Sequence, residues 1–184
     1  KKPDGSDYDI YRDGLKIYTT IDSRMQAHAE TAVTAHMANL QEEFFRQSKD
    51  NKNAPFVNIS SVETQRILNQ AMKSSNRWAV MKAMDKSEEE IIKSFSEKTK
   101  MTVFSWKGEK DTLMTPLDSI RYYKHFLQSG LMAMEPQTGN VKAWVGGINY
   151  KYFQYDHVGQ GARQVGSTFK PFVYATAINQ LGLT

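Results

Sequence analysis

With 184 residues, 40% of them hydrophobic and 24% charged, the chain has the usage of one globular domain with a core and room for a small appendage. Its net charge of +4 comes from 24 basic side chains interleaved with 20 acidic ones, so no basic stripe points to nucleic acid. The absence of cysteine excludes disulfides and thiolate metal sites, and no apolar run approaches the roughly 20 residues that span a bilayer.

Along the chain, Asp13-Gly14 signals a turn, and the β-branched and aromatic run Leu15 to Ile21 predicts a strand. Asp22 or Ser23 then caps a helix whose apolar positions recur at Ala29, Val33, Met37, Leu40 and Phe44, a spacing that buries one face over several turns. Arg46 to Pro55 is polar and reads as a loop. Ser61 to about Met84 reads as helix in one or two pieces. Ser87-Glu88-Glu89-Glu90 opens another with a capping box, its glutamates forming a solvated first turn.

Met101 to Trp106 predicts a strand that turns at Lys107 to Lys110 into Thr112-Leu113-Met114. Thr115-Pro116 then supplies an N-cap and a first-turn proline for a helix presenting Leu117, Ile120, Tyr123 and Leu127, ending near Gly130. Gly130 to Glu135 and Asn140 to Val145 predict a tight antiparallel hairpin, its first strand apolar enough to be covered on both faces. An irregular stretch from Ile148 to Val165 leads to a helix over Ser167 to Gln180, closed by Gly182. Together these elements predict an α+β or three-layer domain with a predominantly antiparallel sheet.

His28, His36, His125 and His157 stand in no metal-binding spacing, so neither a metal nor a cofactor is expected. The chemistry concentrates in Gln164 to Pro171. A helix starting at Ser167 places Lys170 about 60° around and roughly 4.5 Å along, so the two side chains share a face. A serine hydroxyl needs a base within hydrogen-bond reach, and lysine can serve once its amine is neutral. Gly166 lets a substrate backbone approach, and a helix N-terminus favours negative charge developing beside the serine. From pattern alone, a surface serine cap with a first-turn lysine fits equally well.

Pro171 conflicts with a regular first turn, because its ring nitrogen cannot donate the first intrahelical bond. Gly161 to Thr168 has the glycine spacing of a phosphate-binding loop, but Ser167 stands where lysine is required. Gly159-x-Gly161 begins a dinucleotide fingerprint that Gln164 breaks.

The segments Gly130 to Gly147 (GLMAMEPQTGNVKAWVGG) and Ala162 to Tyr174 (ARQVGSTFKPFVY) resemble the transpeptidase domain of class A, bifunctional penicillin-binding proteins. The pattern Ser-x-x-Lys is a signature of that superfamily, shared with class A β-lactamases. Asp13 to Asp22 and Thr112 to Gln128 also resemble it. The resemblance implies a partial penicillin-binding/β-lactamase-like fold, an antiparallel sheet with flanking helices. It divides the chain into a linker with opening strand and helix over 1–45, a helical insertion over 46–111 and a transpeptidase core segment over 112–184.

By the same resemblance, Ser167 is the nucleophile that attacks D-Ala-D-Ala stem peptides of peptidoglycan and is acylated by β-lactams. Lys170 is its base, the Ser167 N–H is part of the oxyanion hole, and Gly166 and Thr168 contact substrate. The resemblance also implies a parent protein with a glycosyltransferase domain and a membrane anchor, on the periplasmic side of the cytoplasmic membrane. A Ser-x-Asn element and a Lys-Thr-Gly or Lys-Ser-Gly strand are not identified, which implies that this chain alone is inactive or nearly so. Phe172, Val173 and Ile178 should then be exposed or covered by another copy. A β-lactamase, a β-lactam sensor and a non-catalytic interaction module stay open as alternatives.

Overall fold

The computed structural model describes residues 1–51 and 53–182, and its longest element is a helix, α1 (Ser23–Ser48). Lys52, in the expected Arg46–Pro55 loop, and Leu183 and Thr184, at the end of the expected core segment, lie outside the described residues. Asp22 caps α1: its carboxylate accepts from the N–H groups of Arg24 at 2.9 Å and Met25 at 3.2 Å. The helix runs past Arg46, whose guanidinium holds Glu43 at 2.6 Å in the last turns. Its buried stripe is Ala29, Val33, Met37 and Gln41, so Leu40 faces solvent where burial was expected.

The helical middle comprises α2 (Ser61–Lys73), α3 (Asn76–Ala83) and α4 (Glu88–Ser94). Each has a serine N-cap: Ser60, Ser75 and Ser87. The predicted capping box forms in full, with Glu90 N–H bonded to Ser87 Oγ and Ser87 N–H to Glu90 Oε2. Ser87→Ala is expected to destabilise by about 1 kcal/mol, read as a fall of roughly 2–4 °C in Tm by circular dichroism. Met72, Ile91 and Phe95 form a small core that Leu117 and Ile120 help close.

Two hairpins follow instead of one sheet: β1 (Thr99–Val103) with β2 (Lys110–Met114), and β3 (Leu131–Met134) with β4 (Val141–Val145), both antiparallel. Between them lies α5 (Pro116–Lys124), capped by Thr115. It stops short of Gly130 because tertiary bonds claim its end: Gln41 Nε2 donates to the His125 carbonyl at 2.9 Å and Leu127 N–H donates to Gln41 Oε1 at 2.8 Å. The main core joins Ala29, Val33 and Met37 of α1 to Ala143 and Val145 of β4, with Phe104, Phe126 and Ile148. Phe104 meets Phe126 edge-on at 5.2 Å and Phe153 at 5.5 Å, the arrangement aromatic quadrupoles prefer.

Three further expectations need correction. Leu15 to Ile21 is not a strand: no backbone ladder forms along it, and its anchors are Thr20 Oγ1 to the Val141 carbonyl at 2.6 Å and Asp22 N–H to the Lys142 carbonyl at 2.9 Å. β3 is not covered on both faces, since Met132 and Met134 are 45% and 49% exposed while Leu131 and Ala133 turn inward. The last helix does not begin at Ser167. A 3-10 turn spans Gly166–Phe169, and α6 (Lys170–Leu181) follows, ended by Gly182 at φ +62°. Pro171 accounts for this, because within the first turn of α6 its missing N–H has no intrahelical partner to lose. Among the described residues, no helix is long and apolar enough to cross a membrane.

Candidate active site

Ser167 sits on the 3-10 turn that leads into α6, and Gly166 sets the turn. Its φ of +55° lies in the left-handed region, where a side chain would be strained. Ser167 N–H donates to the Val165 carbonyl at 2.7 Å; the Thr168 N–H at 3.2 Å and hydroxyl at 3.0 Å converge on the same oxygen. Lys170 N–H closes the turn on the Ser167 carbonyl.

The Lys170 N–H to Ser167 carbonyl bond is an i to i+3 turn, so the backbones of the two residues come together where the 3-10 turn meets α6. Both are exposed, as are Gly166 and Thr168. Among the described residues, no hydrogen bond joins the Ser167 hydroxyl to the Lys170 amine. The Ser167 N–H is already donated to the Val165 carbonyl, so any other acceptor has to displace that carbonyl. On α6, Phe172, Val173 and Ile178 are exposed as expected, and Phe169 packs on Phe172 with ring centroids 5.5 Å apart.

A cleft of about 540 Å³ opens elsewhere, between α1 and the loop after β4, lined by Gln26, Glu30, Trp144, Asn149 and Asp156 among others. Its Gln26 amide is occupied by the Trp144 backbone and Glu30, and its lining holds no serine or lysine for acyl transfer. Ser167 and Lys170, which the sequence pattern singles out, lie outside this cleft.

The expectation that no Ser-x-Asn element occurs is wrong: Ser74-Ser75-Asn76 is one, and it serves local structure, since Ser74 closes α2 while the Ser75 hydroxyl accepts from Trp78 N–H and donates to the Met72 carbonyl. One further feature escapes a reading of sequence motifs. Asp156 organises the loop ahead of Ser167. Its carboxyl lies below the ordinary carboxylate range, chiefly because the Gly159 N–H donates to it, with Val158 N–H and the Trp144 indole adding to the effect and burial opposing it. The visible signal for that turn is the density of glycine around it, at Gly146, Gly147, Gly159 and Gly161.

The family model described as Penicillin-binding protein middle domain matches residues 51–127. Penicillin-binding protein 1A of Vibrio cholerae is 26% identical over 215 aligned residues, covering 95% of this chain and 25% of that protein. The penicillin-binding protein 1A of Rickettsia prowazekii is 27% identical across 92% of this chain and 23% of its own length. A shorter stretch of 58 residues is 43% identical to penicillin-binding protein 1A of Neisseria lactamica, covering 32% of this chain and 7% of that protein. The chain thus spans about a quarter of the length of the relatives it matches throughout. No solved structure matches it significantly.

Proposed function

We propose that the chain is part of a peptidoglycan D,D-transpeptidase in which Ser167 carries the acyl group and Lys170 moves its proton. The observation that carries this reading is a serine and a lysine joined by an i to i+3 backbone bond where the turn set by Gly166 enters α6. Similarity to penicillin-binding protein 1A over nearly the whole chain supports a penicillin-binding-protein function and a place in cell-wall synthesis. Ser167 Oγ attacks the carbonyl between the two D-alanines while its proton passes to the Lys170 amine. The peptide C–N bond then breaks, the proton moves to the departing D-alanine amine, and an ester on Ser167 remains. The amine of a second stem peptide attacks that ester, forms the cross-link and releases the hydroxyl. A β-lactam acylates Ser167 in the same way, but its leaving nitrogen stays tethered.

In this reading residues 1–45 open the transpeptidase domain, 46–111 form a helical insertion and 112–184 carry the core segment with Gly166 and Thr168 against substrate. The insertion's small core draws in Leu117 and Ile120 of α5, in keeping with a middle-domain match that runs on to residue 127. The parent is membrane-anchored on the periplasmic side and also a glycosyltransferase, and the uncovered apolar face of α6 is a site of self-association. The pair works as nucleophile and base only when shielded from water, so the chain by itself is slow or inactive. Incubation with a labelled penicillin followed by mass spectrometry tests the reading. The expected result is one adduct on Ser167 of the intact parent and none in Ser167→Ala. An adduct that survives Ser167→Ala, or none on the parent, ends it, and rapid release of the adduct by water favours a β-lactamase.

A further inference from the structure

We infer that Asp156 is a positioning residue of the Ser167 site: it locks a turn onto the end of β4, and the serine-bearing turn is tethered to that lock. The inference rests on the acyl-transfer reading of Ser167. Asp156 Oδ1 accepts from Val158 N–H at 2.9 Å and Gly159 N–H at 3.1 Å, while Oδ2 accepts from the indole Nε1 of Trp144 at 3.0 Å. Trp144 belongs to β4, so one carboxylate joins the turn to itself and to the sheet. The backbone repeats the connection, with His157 N–H donating to the Gly146 carbonyl at 2.7 Å and Gln160 N–H to the Asp156 carbonyl at 2.9 Å.

Close packing on three sides agrees with these bonds. A Cβ on Gly146 would stand 2.8 Å from Asp156 Oδ1, and one on Gly159 3.1 Å from Oδ2 and 3.3 Å from the Trp144 ring. A Cβ on Gly130, just ahead of β3, would stand 2.7 Å from Val158 Cγ2 and 3.1 Å from its backbone nitrogen. On Gly161 it would meet the His157 carbonyl at 2.6 Å. The turn is therefore seated at distances that only glycine allows on its neighbours.

This seat matters because little else fixes the nucleophile. Every residue from Gly159 to Thr176 is exposed, and Ala177 is the only half-buried position on α6. Only Ala162 to Val165 separate Gly161 from Gly166. An extended chain covers about 3.3–3.6 Å per residue, so Ser167 stays within roughly 20 Å of the lock. An exposed segment owes its average position to its fixed ends, and the lock is the last fixed point before the serine.

The test compares the intact protein with Asp156→Ala and Asp156→Asn by amide hydrogen exchange and by the rate of labelled-penicillin acylation. Asparagine keeps the Oδ1 acceptor for Val158 and Gly159 but turns its NH2 toward the Trp144 indole N–H, so it holds the turn's own bonds while breaking the one to β4. Asp156→Ala should exchange about tenfold faster at the Val158 and Gly159 amides, and should acylate about tenfold more slowly or worse. Asp156→Asn should keep exchange at those two amides within about threefold of the parent and acylate at a rate between the parent and Asp156→Ala. Unchanged exchange in Asp156→Ala overturns the inference, as does faster exchange there with acylation at the parent's rate. If the parent takes no label on Ser167 while exchange responds as described, the acyl-transfer reading fails and the lock stands.

Discussion

Replacing Gln41 by alanine should lower the unfolding free energy by about 3 kcal/mol, because a fully buried side chain is removed and two part-buried backbone groups lose their partners at once. Gln41 is fully buried on α1 and spans to the end of α5, donating to the His125 carbonyl at 2.9 Å and accepting from Leu127 N–H at 2.8 Å. Alanine leaves the carbonyl and the N–H without partners and opens a void where the amide was. A loss of that size should lower Tm by roughly 6–12 °C in a chain of this length. Unfolding in urea within about half a kcal/mol of the parent would mean that both groups reach water and the argument is wrong.

Gln41→Glu separates the two bonds. The carboxylate can still accept from Leu127, but it sets a second oxygen against the His125 carbonyl and buries a charge, so it should be destabilising at neutral pH. Burial raises the folded-state pKa of the new carboxyl above its unfolded value near 4.3. The protonated form regains a donor for His125. Its stability relative to the parent is therefore fully recovered below the unfolded value and lost as pH rises through the folded one. A flat difference between pH 4 and 8 would contradict this account.

Local signals in the sequence proved legible where the physics is local. The four-residue spacing of Ala29, Val33 and Met37, the Ser87–Glu90 box, Thr115-Pro116 and Gly182 all act within a turn or two of backbone, and each structure they predict is present. The failures are long-range. Leu15 to Ile21 has the composition of a strand, but a strand needs a ladder, which no neighbour supplies. The end of α5 is decided by Gln41, more than 80 residues away, and a polar residue in an apolar stripe gives no hint of the two backbone groups it serves.

The candidate site divides the same way. Ser167 and Lys170 are legible as a pair, and Pro171 already conflicted with a regular first turn. The conflict resolves as a 3-10 turn over Gly166–Phe169, which leaves Lys170 and Pro171 to open α6. The Asp156 lock involves Trp144, Gly146 and Gly130 across the hairpin, and no spacing in the sequence connects them to the serine.

Lys170 offers the largest expected effect on chemistry. In the intact protein, Lys170→Ala should slow acylation of Ser167 by about 10²–10⁴-fold, the range a positioned general base supplies. The fold should barely notice, since Lys170 is exposed and surface substitutions usually shift stability by no more than about 0.5 kcal/mol. Lys170→Arg keeps the positive charge and much of the length but cannot give up its proton at working pH, so it should be almost as slow as alanine. If Lys170 merely attracted an anionic substrate, arginine would instead restore the rate. Parental rates in Lys170→Arg would remove lysine as the base and leave Ser167 without a proton acceptor on its own turn.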